Sequence, residues 1–148
     1  MANINLSKEI KLVKALDYAS GTSDRNGATL DMQGYEGVLM VVHFAAVATG
    51  ATVAIKAQQG AASNLSDAAD LTGTSITVAD DDDNQIFVID LYRPQERYVR
   101  VVVDNDATNA SAQSAVYYQY GARKLPVSNN VTDAVTAETH VSPAEGTA

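Results

Sequence analysis

Eight short runs of β-type residues, separated by turn-forming residues, are the feature that most limits how this chain can fold. The runs cover residues 10–18, 28–33, 38–47, 51–58, 75–79, 85–91, 97–104 and 114–120. Apolar and polar side chains alternate along several of them, which is typical of strands with one buried face. The sequence contains no helical pattern long enough to connect parallel strands. The pattern therefore predicts an all-β fold.

Two segments leave a second interpretation open. The first run also places Ile10, Val13 and Leu16 three positions apart, as a helix would. The polar segment from Ser66 to Leu71 has the composition of a single capped helical turn. Neither segment is long enough to change the predicted fold class.

The strand count and the absence of Trp select among the all-β folds. Eight strands are the number in a jelly roll, whereas an immunoglobulin-like sandwich usually buries a Trp that this chain lacks. We therefore predict an eight-stranded jelly-roll-like β-sandwich over residues 10–121. Residues 1–9 are expected to form an N-terminal arm. Residues 122–148 lack periodicity and contain Pro126 and Pro143, which predicts an extended or flexible C-terminal arm.

The charge balance argues against two classes of partner. The formal net charge is -8, and only ten side chains are Lys or Arg. Nucleic acids and anionic membrane surfaces both attract basic proteins, so neither is expected to bind this chain. No apolar run approaches the roughly 20 residues of a membrane span, and the N-terminus has no apolar signal core. The chain is accordingly expected to remain in the cytoplasm in which it is made.

Residues with catalytic or metal-binding chemistry are few and scattered. His43 lies in an apolar strand and His140 in the C-terminal arm, and no local motif supplies the nucleophile of a Ser-His-Asp triad. Glu36 and Glu96, both beside turns, are the carboxylates that a glycoside hydrolase would have to use. The acidic residues 80–84 are interpreted as a hairpin turn, because they lack the ligand spacing of a Ca²⁺ loop, although Ca²⁺ binding stays open. We expect no enzymatic activity, no metal and no cofactor.

Two predicted strands are apolar on both faces. In strand 38–44 the second face carries Leu39, Val41 and His43, and in strand 85–91 it carries Ile86 and Val88. An antiparallel sheet with one wet face should alternate instead. Leaving such a face in water is costly and promotes aggregation. We therefore expect it to be covered either by a neighbouring subunit or by the terminal arms.

Three segments carry a family resemblance. They are DMQGYEGVL at 31–39, IKAQQG at 55–60 followed by SNLSDAAD at 63–70, and DLYRPQERYVR at 90–100. These segments resemble the small capsid decoration, or cement, proteins encoded beside the major capsid gene of tailed phages. The resemblance extends over roughly residues 10–126. It implies a jelly-roll-like fold and a head-stabilising structural role, and it supplies no active-site residues.

The resemblance also implies a partner and a location. Such proteins sit on the outer capsid surface of the virion, after assembly in the host cytoplasm, commonly as homotrimers near local threefold axes. They clamp neighbouring major capsid protein subunits together. The apolar second face and the outward arginines then become the predicted capsid or oligomer contacts, although pairing of the arginines within the chain stays open: Leu39, Val41, His43, Arg93, Arg97 and Arg100.

One alternative function belongs to the binding modules. A virion-surface or tail-associated β-sandwich that binds carbohydrate would use exposed aromatic side chains as platforms. Tyr92 and Tyr98 are the candidates for that role.

Overall fold

Strands make up almost all of the regular structure in the computed structural model, which describes residues 5–130 and 134–147. One short helix, α1 (Leu6–Glu9), precedes them. The strands are β1 (Lys11–Gly21), β2 (Arg25–Asn26), β3 (Leu30–Asp31), β4 (Gly37–Val47), β5 (Val53–Gly60), β6 (Ala69–Asp70), β7 (Ile76–Val78), β8 (Ile86–Tyr92), β9 (Tyr98–Asp104) and β10 (Ser111–Tyr120).

The strands form two antiparallel sheets. The four-stranded sheet has the order β1-β10-β4-β8, and the six-stranded sheet has the order β2-β9-β5-β6, with β3 also paired to β9 and β7 to β5. Because β2 and β3 lie in succession along β9, and β6 and β7 along β5, each couple is one interrupted strand. Counted in this way, the first strand pairs with the eighth, the second with the seventh, the third with the sixth and the fourth with the fifth. The predicted all-β, jelly-roll-like sandwich is confirmed.

All eight predicted runs coincide with strands, and the differences are local. The first run forms β1 and not a helix. The helical turn left open for Ser66 to Leu71 does not form, because Ala69 and Asp70 pair with β5 as β6. The N-terminal arm contains the single turn α1, which has no buried residue and hence no apolar pattern by which to predict it. Residues 1–4 lie outside the described residues.

The core lies between the two sheets. Its fully buried side chains come from alternate positions of the central strands, as the period of a strand requires. They include Val38, Met40, Val42 and Phe44 on β4, Val53, Ile55 and Ala57 on β5, and Val99, Val101 and Val103 on β9. The Phe44 ring also packs edge-on against Phe87, with 5.5 Å between the ring centroids.

Tyr117 links the two sheets through its hydroxyl group. The oxygen accepts the Val101 N–H at 3.0 Å, and the hydroxyl donates to the Ala28 carbonyl at 2.9 Å. Burial raises the pKa of this phenol. Gly27 leaves room for the Tyr117 hydroxyl group, because a Cβ atom at Gly27 would lie only 2.5 Å from the Tyr117 oxygen.

The C-terminal segment returns along α1 and the free side of β1. The Asn129 side chain accepts the Leu12 N–H at 2.7 Å and donates to the carbonyls of Ser7 and Ile10, at 2.9 and 2.8 Å. Asn129 is buried by these contacts. The start of the β1 edge, at Leu12, is therefore covered by the chain itself.

Candidate functional site

The side of the four-stranded sheet that points away from the core is termed the outer face. It is formed by alternate residues of four strands: Leu12 and Lys14 of β1, Val116, Tyr118 and Tyr120 of β10, Leu39, Val41 and His43 of β4, and Ile86, Val88, Asp90 and Tyr92 of β8. Most of these side chains are apolar or aromatic. The outer face is therefore a flat apolar surface on a sheet whose other side already forms the core.

The register joins these residues into continuous rows. Val116, Val41 and Val88 are direct cross-strand neighbours, and so are Tyr118 and Leu39. Side chains at such positions touch one another. Ile86 and Val88 remain 64% and 43% exposed, so the row ends in apolar side chains that face solvent at β8.

The C-terminal arm lies at the β1 side of the outer face, opposite β8. Ala134 and Val135 line a shallow depression with Leu12 and Lys14 of β1. The exposure of Ile86 and Val88 shows that the described part of the arm does not reach β8. The sequence predicted that a neighbouring subunit or the terminal arms cover the outer face. The described part of the C-terminal arm covers only its β1 side.

Tyr120 crosses the outer face from β10 toward β8. Gly37 of β4 lies between them, and its missing side chain leaves room for the Tyr120 ring. The hydroxyl donates to Asp90 Oδ1 at 2.6 Å. Burial, together with the acceptor carboxylate of Asp90, raises the pKa of Tyr120 to about 12.

A second candidate site lies at one end of the sandwich and is termed the arginine cleft. It has a volume of about 600 Å³ and is lined by residues 32–36, 93–97 and Arg123. Arg97 forms a two-pronged pair with Asp31, at 2.9 and 2.8 Å. This pair lowers the pKa of Asp31. The cleft is polar, and its charges are largely matched within the chain.

Arg93, in the wall of the arginine cleft, has an unusual backbone conformation. Its φ angle is +50°, in the left-handed region that costs a non-glycine residue about 1–3 kcal/mol. Glu36 stabilises it twice, because its carbonyl accepts the Arg93 N–H at 2.8 Å and its carboxylate accepts Nε–H at 2.9 Å. The guanidinium also lies 5.0 Å from the centroid of the Tyr92 ring.

Glu36 and Glu96, the two carboxylates considered for hydrolysis, both line the arginine cleft. A general acid of a glycoside hydrolase is kept protonated by apolar, buried surroundings. Glu36 is instead paired with Arg93, and Glu96 is exposed to solvent. The cleft brings the two residues to one surface without the environment that this chemistry requires.

The six predicted contact residues lie in three places. Leu39, Val41 and His43 share the outer face. Arg93 and Arg97 line the arginine cleft. Arg100 lies on the outward side of the other sheet, where its Nε donates to Gln58 Oε1 at 2.8 Å.

Sequence reasoning omitted several members of the outer face from the contact residues. Ile86 and Val88 were visible as a second apolar face of their strand, and they extend the surface to the sheet edge. Val116, Tyr118 and Tyr120 alternate along one strand, which was the signal for their shared face. Their position beside Leu39 and Val41 depends on the pairing of β10 with β4, which no local pattern gives.

The acidic residues 80–84 do not form a hairpin turn, because β7 and β8 belong to different sheets. Their carboxylates accept backbone N–H groups: Asp83 from Val47 at 2.7 Å, and Asp80 from Gly50 at 2.6 Å. These bonds tie the crossing between the sheets to the loop after β4. Within residues 5–130 and 134–147, no cluster of three or more acidic or histidine side chains is placed to hold a metal ion.

The comparisons with known proteins bear on the fold alone. No protein-family model and no curated protein matches the chain. The crystal structure of the PBSX exported protein XepA superposes with a TM-score of 0.53 at 16% sequence identity. The match covers 95% of this chain but 46% of XepA, so the chain spans less than half the length of that protein. In the part of the chain that the structure describes, no helix is long and apolar enough to cross a membrane.

Proposed function

We propose that this protein is a structural component of a tailed-phage virion, which binds the outer capsid surface and clamps neighbouring major capsid subunits. The observation that carries the proposal is the outer face, a continuous apolar surface that ends in the exposed side chains of Ile86 and Val88. Contiguous apolar patches on a folded domain are typical of protein–protein contact sites. Tyr118, Tyr120 and Tyr92 add the aromatic content that such contacts favour.

The charge of the chain agrees with a position outside the shell. A protein of net charge -8 is repelled by packaged nucleic acid, and this repulsion does not act on the outer side of a capsid. The fold likeness to XepA, a protein of the phage PBSX, supports a phage origin. The decoration-protein resemblance of residues 31–39 and 90–100 supports the same class.

Binding to undecorated capsids is the direct test. Purified protein mixed with capsids that lack it should co-sediment and saturate at a fixed ratio to the major capsid protein. Decorated capsids should also withstand heat or low salt longer than bare ones. Protein that stays in the supernatant at every concentration would contradict the proposal.

A pair of matched variants locates the capsid contact. Val41→Lys places a charge in the middle of the outer face and should weaken co-sedimentation roughly tenfold or more, as loss of a central apolar contact does. Ala54→Lys introduces the same charged side chain on the outward side of the six-stranded sheet, beside Asp104. It should leave binding unchanged. Equal loss in both variants, or in neither, would argue against the outer face as the contact.

We propose carbohydrate binding at the arginine cleft as a second candidate function. The observation in its favour is the polar concavity of about 600 Å³ that contains Tyr35, Gln33 and Arg123. Tyr92 and Tyr98 do not support it, because each ring is stacked by a guanidinium and the two lie on different sheets. A glycan array with the wild type and with Arg123→Ala tests it. An array without any signal would remove this candidate.

A further inference from the structure

We propose that β8 is a pairing edge, at which two copies of this chain join antiparallel about a two-fold axis near Val88. The two four-stranded sheets would then become one. This inference does not depend on capsid binding, since it concerns the contact between copies, and its two-fold pair differs from the homotrimer that the family resemblance implies.

β8 differs from every other sheet edge in its lack of protection. Proteins guard their edges with lysines, bulges, short strands or covering segments. The edge β1 has Lys11 and Lys14, two breaks in register and the C-terminal arm along it. The edges of the six-stranded sheet are interrupted strands of two or three residues per piece. β8 runs for seven residues, IFVIDLY, with an unbroken register and no Lys, Gly or Pro.

The backbone of β8 offers a complete set of unused hydrogen-bonding groups. Gln85 accepts the Phe44 N–H of β4, and Arg93 donates to the carbonyl of Glu36 just before β4. By the alternation of an antiparallel ladder, the N–H and C=O groups of the odd-numbered residues between them therefore point to β4. The N–H and C=O groups of Ile86, Val88, Asp90 and Tyr92 therefore point to the free edge. Among the described residues no hydrogen bond reaches them. An added strand is the partner that matches this spacing.

The core-facing side chains of β8 also lack a neighbour at the free edge of the strand. Phe87 and Leu91 are only partly buried, whereas Met40 and Val42 of the adjacent β4 are fully buried. A groove of about 440 Å³ runs beside Leu91, between β8 and the loop before β7. A strand paired to β8 would lie along this groove and complete the burial of both side chains.

The charges at the ends of β8 identify the occupant as a second copy in antiparallel orientation. The strand begins after the acidic residues 80–84 and ends just before Arg93, whose charge is paired with Glu36. Antiparallel pairing keeps the two acidic segments at opposite ends of the joined strands, whereas parallel pairing would set them side by side. With the axis at Val88, the acidic segment of one copy lies near Arg93 of its mate. The same contact is made twice, as a two-fold interface requires.

A proline scan of the edge tests the pairing. Val88→Pro removes an N–H that β4 does not use, and edge strands accept proline at such positions. We expect the wild type to sediment as a dimer of twice 15.6 kDa at high concentration and Val88→Pro as a monomer at the same concentration. Val88→Thr, which keeps the N–H and the β-branched shape, is the matched control and should remain dimeric.

Hydrogen exchange on the wild type supplies a measurement that needs no variant. The amides of Ile86, Val88, Asp90 and Tyr92 should become protected as the protein concentration rises. If Val88→Pro fails to fold, this concentration dependence still decides the matter. Amides that exchange at the same fast rate at all concentrations would overturn the inference.

The oligomeric state separates this inference from the proposed function. A monomer, a trimer, or a dimer that survives Val88→Pro would overturn β8 pairing, whether or not the protein binds capsids. A dimer that depends on Val88 but never co-sediments with capsids would overturn only the proposed function.

Discussion

The outward surfaces of the two sheets differ in how far their apolar side chains are exposed to solvent. On the six-stranded sheet, the outward Val102 lies between Asn26 of β2 and Lys56 of β5 and is only 4% exposed. On the four-stranded sheet, Val88 lies on the edge strand β8 and is 43% exposed. An outward apolar residue thus has a strand on each side in one sheet and is left open at the edge of the other.

This difference has a physical consequence for function. The architecture does not require an apolar outer face, since the six-stranded sheet is outwardly polar, with Lys56 bonded to Asp70 and Asp104 at 3.0 and 3.1 Å. Apolar surface left in water lowers solubility without adding to the stability of the core. The apolar outer face is therefore the ground on which a partner outside the single chain is proposed.

Substitution of Gly37 is expected to have the largest effect on stability. Gly37→Ala places a methyl group where the Tyr120 ring lies, so the ring must leave and lose its bond to Asp90. We expect the free energy of unfolding to fall by about 1–2 kcal/mol. Gly21→Ala, a change with open space around it on the same sheet, should cost about 0.5 kcal/mol or less. Denaturant titration of both variants measures the difference, and equal losses would contradict the steric role of Gly37.

High pH should weaken the outer face through Tyr120. Its pKa is about 12 when folded and near its ordinary value of 10.0 when unfolded, so the unfolded chain loses this proton first. The stabilisation is complete below pH 10 and is lost as pH rises from 10 to 12, by about 1–2 kcal/mol. Tyr120→Phe should fall less steeply over this range. Identical slopes for the variant and the wild type would show that Tyr120 does not contribute.

Removal of the Lys56 charge should have the smallest effect of the three. Asp70 and Asp104 hold Lys56 on the polar surface, and hydrogen bonds to both raise its pKa. Exposed ion pairs stabilise folded proteins little, and salt screens them. Lys56→Met should lower the thermal midpoint by less than Gly37→Ala, and the gap to the wild type should narrow at high salt. A gap that widens with salt would contradict an electrostatic role.

Local sequence patterns were sufficient for the eight main strand regions and for the fold class. Alternation in the run 97–104 marked the buried Val99, Val101 and Val103, and the strand count selected the jelly roll that the sheet order confirms. The apolar second face of β4 was visible for the same reason, because alternate residues of a strand share a side. These features depend on neighbours within a few residues.

Features that depend on strand pairing were not accessible from local patterns. Gly37 and Tyr120 are far apart in sequence, so no local pattern shows that one makes room for the other. The acidic residues 80–84 were interpreted as a hairpin, since a turn between two strands reads the same whether the strands pair or belong to different sheets. Arg93, Arg97 and Arg100 are close in sequence, and the change of sheet at β9 separates Arg100 from the other two.

The Asn129 amide has a bearing on how far assembly proceeds. Two copies joined at β8 give a sheet of eight strands in which β1 is the last strand on each side. Because β1 has two breaks in register and is bonded at Leu12 by Asn129, a third copy would lack a continuous template there. The protection of β1 would thus limit assembly to a finite pair.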